Sequence, residues 1–323
     1  MIRRILSFFN SMVRVFGVQV VSTGSLAMSA RIERQLRESN RRLMGRVQKN
    51  KVLSSYIRSR RGLHGTVFDS CECDVFLGSD DFLVSWASSE AEQDRSPLGE
   101  FMKVYISNID KLNSQWAQDA FVLYVTGGTR GGRFLEIGAA DGMSNSNTLS
   151  LEMEFGWTGT LVEPGPGAFN ALRLNRGRHN CFVNAAAGPD NCERFVSFLS
   201  AGELSCVSGR EGADQHTQLR LAEGSEIKVV QLPFSQVMLD AGPLDYLSLD
   251  VEGAELDLLR WIDWGRTVPP RVITVEHNWR VEVKDEIKSF LSSRGYASFF
   301  EDCDWLVGGD LWFVHGGTTL PVS

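Results

Sequence analysis

The chain has 323 residues, 43% of them hydrophobic and 23% charged, enough to bury one large core and carry an appendage beside it. Its six cysteines, Cys71, Cys73, Cys181, Cys192, Cys206 and Cys303, show no Cys-x-x-Cys spacing and are too sparse for a disulfide scaffold, so reduced thiols of a cytoplasmic protein are expected. The net charge of −7 conceals a division: Met1 to Gly62 holds 14 Arg and Lys against Glu33 and Glu38, a balance of +12 that leaves −19 on the remainder.

Charge therefore divides the chain into a basic helical arm, 1–62, and a domain, 63–323, with a helical lead-in over 63–130 and a core over 131–323. Within the arm Ile5, Phe8, Phe9, Met12 and Phe16 share one helical face, with Arg3, Arg4 and Arg14 on the other. Such a helix suits the headgroup region of an anionic membrane, as a peripheral contact, or packing on the domain or on a second copy in a homo-oligomer. Arg14 interrupts the apolar stretch that a secretory signal needs, and no run approaches the roughly 20 apolar residues of a spanning helix. Arg31 to Arg61 is a second basic helical stretch with sparse apolar positions at Ile32, Leu36, Leu43 and Val47. Its charge fits anionic lipid or glycan at least as well as nucleic acid, for which aromatic interleaving is poor and no recognition motif is present, and a partly disordered, solvated arm is the common outcome for such a stretch.

In the lead-in, helices are predicted near Asp81 to Glu92 and Leu98 to Leu112, with Ser96-Pro97 starting the second. Ser114, Gln115 and Asp119 open another that runs through Tyr124. Arg133 to Pro166 then reads as strand, loop, helix, strand. The apolar run Phe134 to Ile137 ends in a turn bearing Gly138 and Gly142, and a second run ends at Glu163-Pro164. Glycines there allow positive φ and close approach of a ligand. An acid at the next strand tip can accept hydrogen bonds from a ribose diol, so a nucleoside is implied. No Gly-x-Gly-x-x-Gly or Gly-Lys-Ser/Thr is present to seat a pyrophosphate. Glu136 and Asp141 would repel one, and they attract an ammonium or sulfonium instead, which favours S-adenosylmethionine. An ordinary turn between a core strand and a helix would show the same glycines.

Further along, Cys181 to Gly188 reads as a third strand whose small residues, Ala185 among them, leave room for an adenine ring with Asn184 at its edge. Cys192 to Glu226 reads as an inserted hairpin and loop region that shapes an entrance. Lys228 to Leu239 supplies a strand and a short helix. Leu244 to Leu249 is an apolar strand delivering Asp250 and Glu252 to its tip, and Arg271 to Val275 delivers Glu276, His277 and Asn278. Ligands of open α/β sheets bind off these strand ends. Two mechanisms of transfer to a hydroxyl fit the cluster: His277 or Asp250 as general base, or Asp250, Glu276 and Asn278 holding Mg²⁺. A helix over Val283 to Arg294 and strands Tyr296 to Glu301 and Asp310 to His315, joined by a Gly308-Gly309 turn, complete the chain; His315 is assigned a structural role. The alternation predicts a doubly wound, mostly parallel α/β sheet.

Several blocks in order carry a family resemblance: Asn113 to Asp119, Phe134 to Gly142, Ser146 to Leu149 (with Asn147), Gly156 to Gly159, Leu161 to Pro164, and Leu247 to Glu255. Together they resemble the FkbM-type S-adenosylmethionine-dependent methyltransferases, over roughly Ser114 to His315. The resemblance implies a Rossmann-like sheet ending in a C-terminal antiparallel hairpin, and O-methylation of a sugar, glycan or polyketide-like acceptor. It implies cofactor contacts from Glu136, Gly138, Ala139, Asp141, Gly142, Asn147, Glu163, Pro164, Asn184, Ala185 and Asp250, with acceptor chemistry at Asp250, Glu252, Glu276 and His277. By the same resemblance the segment before the first strand closes over the cofactor, making Gln115 and Asp119 secondary candidates. An alternative class is a non-catalytic adaptor of the same fold docked to anionic membrane by the arm.

Overall fold

Alternation along the strands sets the architecture. In β1 (Arg133–Ile137) Phe134 joins one hydrophobic cluster while Leu135 and Ile137 join another, as expected of a strand buried on both faces. The same division runs through β2 (Thr158–Val162), β8 (Tyr246–Leu249), β9 (Val272–Glu276) and β11 (Asp310–His315): Leu161, Tyr246, Val272 and Trp312 lie in the first cluster, and Val162, Leu247, Ile273 and Phe313 in the second. The computed structural model describes residues 49, 51–57, 59–60, 80–201, 205–209, 222 and 224–320. The amphipathic helix read over Ile5 to Phe16, most of the basic stretch and Cys71 and Cys73 lie outside them.

The first face is covered by α1 (Asp80–Gln93), α2 (Pro97–Asn108), α3 (Gln118–Thr126) and α4 (Leu149–Phe155), with Phe101, Met102, Phe121, Tyr124 and Leu151 fully buried. Ser96 caps α2 as its sequence suggests, accepting from Gly99 N (3.2 Å) with Pro97 in the first turn. The second face is covered by α6 (Phe234–Ala241), α7 (Glu255–Trp261) and α8 (Val281–Ser292), through Phe234, Met238, Leu259, Ile287 and Leu291. The sheet is therefore doubly wound. The compact unit that holds it begins at Val47. Val52, Leu53, Tyr56 and Ile57, inside the segment set apart by charge, are buried in the first cluster, and Tyr56 donates to Asp94 (3.1 Å). Among the described residues no helix is long and apolar enough to cross a membrane.

The seven-stranded sheet runs β10-β11-β9-β8-β1-β2-β3, with β3 at Cys181–Val183 and β10 at Tyr296–Phe299. Strands β3, β2, β1, β8 and β9 are parallel, while β11 is antiparallel to both β9 and β10. After β1 the chain moves outward to β2 and β3, then returns to the other side of β1 for β8. That reversal opens a crevice beyond the carboxyl ends of β1 and β8, where ligands of such sheets bind.

Two elements differ from the sequence reading. The third strand stops at Val183; Asn184 donates to the carbonyls of Glu163 (2.8 Å) and Pro164 (3.1 Å), and the chain turns into β4 (Ala186–Gly188). β4 belongs to a second sheet, β4-β7-β5-β6, made with β5 (Phe195–Ser200), β6 (Cys206–Val207) and β7 (Ser225–Pro233). At the C-terminal end Gly308 and Gly309 do not make a tight hairpin turn. A helical turn, α9 (Asp304–Val307), precedes them, and β11 inserts between β10 and β9. The remaining helix, α5 (Pro166–Asn175), follows β2.

Candidate functional site

The tip of β1 sets the site's geometry. Gly138 has φ +86°, and a Cβ there would stand 1.7 Å from the carbonyl oxygen of Asp250, so only glycine lets the ends of β1 and β8 meet. Gly138 N and Ala139 N both donate to Val162 O (3.0 Å each), tying the turn to β2. Glu136 is buried and accepts from Ser146 Oγ (3.1 Å), Asn147 N (2.9 Å) and Thr148 Oγ1 (2.6 Å). Its carboxylate thus moulds the loop that leads into α4 while also reaching the cavity wall.

That cavity, about 360 Å³, lies along the carboxyl ends of the strands and is bordered by Glu136, Gly138, Ala139, Asn147, Glu163, Pro164, Ala185, Asp250, Glu252, Glu276 and Asn278. Most of the sequence-predicted site is therefore gathered on one rim. At one end Glu163 accepts from Ala140 N (3.0 Å) and Gly165 N (2.6 Å). Burial pushes its carboxyl up to about 7, against the pull of those two bonds. Asn147 donates to Ser248 Oγ (3.0 Å), which leaves its buried Oδ1 without a partner. Such an orphan on a cavity wall suits a ligand donor such as an ammonium.

At the other end Asp250, Glu252 and Glu276 bring carboxylate oxygens within 4.8 Å of one another. Burial drives Glu276 well above the ordinary carboxylate range, and the like charges of Asp250, Glu255, Glu252 and Asp310 add to it. Asp310, opposite Glu276 in the ladder, is raised to about 8 by burial and Asp250, although Gln118 Nε2 donates to it (2.7 Å). Glu255 accepts from Val251 N (2.9 Å) and is raised to about 7, chiefly by burial. Clustered oxygen donors under mutual repulsion favour a cation or a shared proton. Asn278 donates its amide nitrogen to Glu276 (2.9 Å), and Glu252 joins Asp250 and Glu276 in the carboxylate cluster.

Four predicted residues are not brought to the wall. His277 lies beside the acids in sequence, but its ring is buried elsewhere with both nitrogens unpartnered. Burial and Lys284 lower its pKa to about 4, which keeps the ring neutral. Asp141 accepts from Met143 N and Ser144 N (2.8 Å each) and closes the turn. Gly142 packs under Leu172, where a Cβ would stand 2.4 Å from a methyl. Asn184 donates its amide nitrogen to the carbonyls of Glu163 and Pro164. Of the lead-in candidates, Gln115 lines the cavity. Asp119 instead lies fully buried, accepting from Asn113 N (2.7 Å), Ser114 Oγ (2.6 Å) and Ser150 Oγ (2.6 Å).

Residues not foreseen complete the wall: Phe198, Ser205 and Val207 of the inserted sheet beside Ala185, and Trp116 and Trp279 near the acids. The alternating run Phe195 to Ser200 is the one sequence signal for the former.

The family model for the methyltransferase FkbM domain matches residues 136–298. Among curated proteins none matches the chain. Among solved structures the chain is similar to the SAH-bound methyltransferase PaMTH1 of Podospora anserina, with 10% identity over 74% of this chain and 97% of that one, at a TM-score of 0.34.

Proposed function

Because the chain belongs to the FkbM family of S-adenosylmethionine-dependent methyltransferases, we propose that it methylates a hydroxyl of a sugar, a glycan or a related natural product. The observation that carries this reading is one cavity with Glu163 at one end and Asp250, Glu252 and Glu276 at the other. The residues present fit the cofactor. Gly138 clears the backbone for close approach, Asn147 Oδ1 offers an unspent acceptor to an amine, and Glu163 retains lone pairs for two ribose hydroxyls. Pro164, Ala185 and Phe198 supply apolar walls for a purine. When bound, S-adenosylmethionine supplies a methyl group on a cationic sulfur.

On the acceptor side the acids receive the hydroxyl proton. Asp250, exposed at the β8 tip, is the base in this reading, and Asn278, which donates to Glu276, orients that neighbour. Most of the acceleration from the protein is alignment of the acceptor oxygen with the methyl. The three carboxylates also fit a hard divalent cation such as Mg²⁺. Restoration by Mg²⁺ of turnover lost to EDTA supports that assignment, and turnover indifferent to EDTA leaves the carboxylate base alone. We place the enzyme in the cytoplasm, touching anionic membrane through its basic arm. Deleting Met1 to Arg46 then reduces sedimentation with anionic liposomes and leaves cofactor affinity unchanged. The function itself is tested by mass spectrometry of candidate glycans incubated with the protein and S-adenosylmethionine. A methyl-sized gain on a hydroxyl supports it; transfer only to nitrogen or carbon acceptors sinks it.

A further inference from the structure

At the acid end of the cavity two indoles stand together. Trp116 and Trp279 meet edge to face, with ring centroids 6.2 Å apart and planes at 78°. Both line the cavity, and Trp279 is 49% exposed. Its backbone is unusual: Asn278 and Trp279 have φ of +50° and +55° in succession, a region that bulky L-residues avoid and that accumulates where a side chain must be aimed. The glycines opposite provide the space. A Cβ on Gly308 would stand 2.3 Å from the Trp116 ring, and one on Gly309 would stand 3.1 Å from the Trp279 ring. The Trp116 backbone is also tied to the acids, since its amide N–H donates to Gln118 Oε1 (2.9 Å) and Gln118 Nε2 donates to Asp310 (2.7 Å), the ladder partner of Glu276.

We propose that Trp279, braced edge to face by Trp116, forms an aromatic platform that takes the flat apolar face of a polyhydroxylated ring and turns its hydroxyl edge toward Asp250, Glu252 and Glu276. This rests on the proposed reading of the acid end as the acceptor side. A pyranose has C–H groups on a face and hydroxyls around its edge, and a catechol ring combines the same two surfaces. Indole faces bury such a surface and contribute dispersion, while carboxylates accept from the hydroxyls. Specificity for a ring over an open-chain alcohol then comes from the indoles, and the choice of hydroxyl from the acids.

The test is saturation-transfer NMR on the full chain with methyl pyranosides of glucose, mannose and rhamnose, with catechol, and with glycerol as an open-chain control. The wild type should bind at least one ring and not glycerol, and whether sugars or catechol bind identifies the source. Trp279→Ala, at a half-exposed position, should weaken ring binding about tenfold. Trp279→Phe should recover most of it, and calorimetric affinity for S-adenosylmethionine should not change in either. Ring binding unchanged in Trp279→Ala, or no ring bound by the wild type, overturns the platform. Wild-type protein that binds rings but not S-adenosylmethionine would instead overturn the methyltransfer reading and leave the platform standing.

Discussion

Replacing Glu163 with glutamine probes the cofactor end of the cavity through two opposed effects. Burial lifts the carboxyl from 4.5 to about 7, so keeping it ionised in the folded chain costs about 3 kcal/mol. The associated stability is fully present below the unfolded value and is lost as pH rises through 7. The neutral amide of Glu163→Gln carries no such penalty, but it turns an NH₂ toward one of two backbone donors, Ala140 N or Gly165 N, which costs about 1–3 kcal/mol. In urea titrations of the unliganded protein the variant should therefore be less stable than wild type near pH 5 and close to it near pH 8.5. Cofactor affinity responds oppositely. Hydrogen bonds from ribose to an ionised carboxylate are worth about 1.5–3 kcal/mol, so calorimetry near pH 8 should find affinity reduced about 10- to 100-fold. Wild-type affinity should rise through pH 7 while the variant stays flat. Equal affinities near pH 8, or the same pH slope in both proteins, would refute the assignment.

Gly138→Ala forces a methyl against Asp250 O at a positive φ; with the Asp250 N to Ile137 O bond (3.1 Å) also displaced, we expect a loss of about 3 kcal/mol. Differential scanning calorimetry should show a fall of several degrees together with weakened cofactor binding. His277→Asn should leave the pH profile of kcat unchanged above pH 6, because the ring is neutral there and off the cavity wall; a displaced profile would return it to the mechanism. Asp310→Asn should remove a destabilisation that builds as pH rises above 3.8 and is complete above about 8, read as a flatter Tm against pH in the absence of divalent ions. Adding Mg²⁺ should raise the wild-type Tm more than that of Glu276→Gln if the cluster holds the ion.

The strand tips were legible because each apolar run ends abruptly in glycine or an acid, and parallel strands put those ends on one rim. Glu163, Asp250 and Glu276 follow from that alone, whereas Glu136 lies one residue inside β1. What escaped has local or long-range causes. Asp141 and Asn184 are short polar side chains that bond nearby backbone in preference to a distant ligand, as their bonds to Ser144 N and Pro164 O show. His277 follows Glu276, and alternation puts neighbouring side chains on opposite faces; applied one residue further, that rule would have removed it. Phe198 reaches the cavity only because β4 leaves the main sheet for β7, and the meeting of Trp116 with Gly308 joins distant parts of the chain. The charge balance counted over Met1 to Gly62 concealed the apolar run around Val52, Leu53, Tyr56 and Ile57, which is enclosed in the core.

The crowd of acids around Glu276 has a bearing on turnover. On the proposed reading the incoming donor carries a positive sulfur, whereas the spent thioether left after transfer carries none there. Ionised acids there attract the first and have no comparable hold on the second, an effect that grows as pH rises through the raised values of Glu255 and Asp310. The same side chains that draw the reagent in thus hold its by-product less tightly.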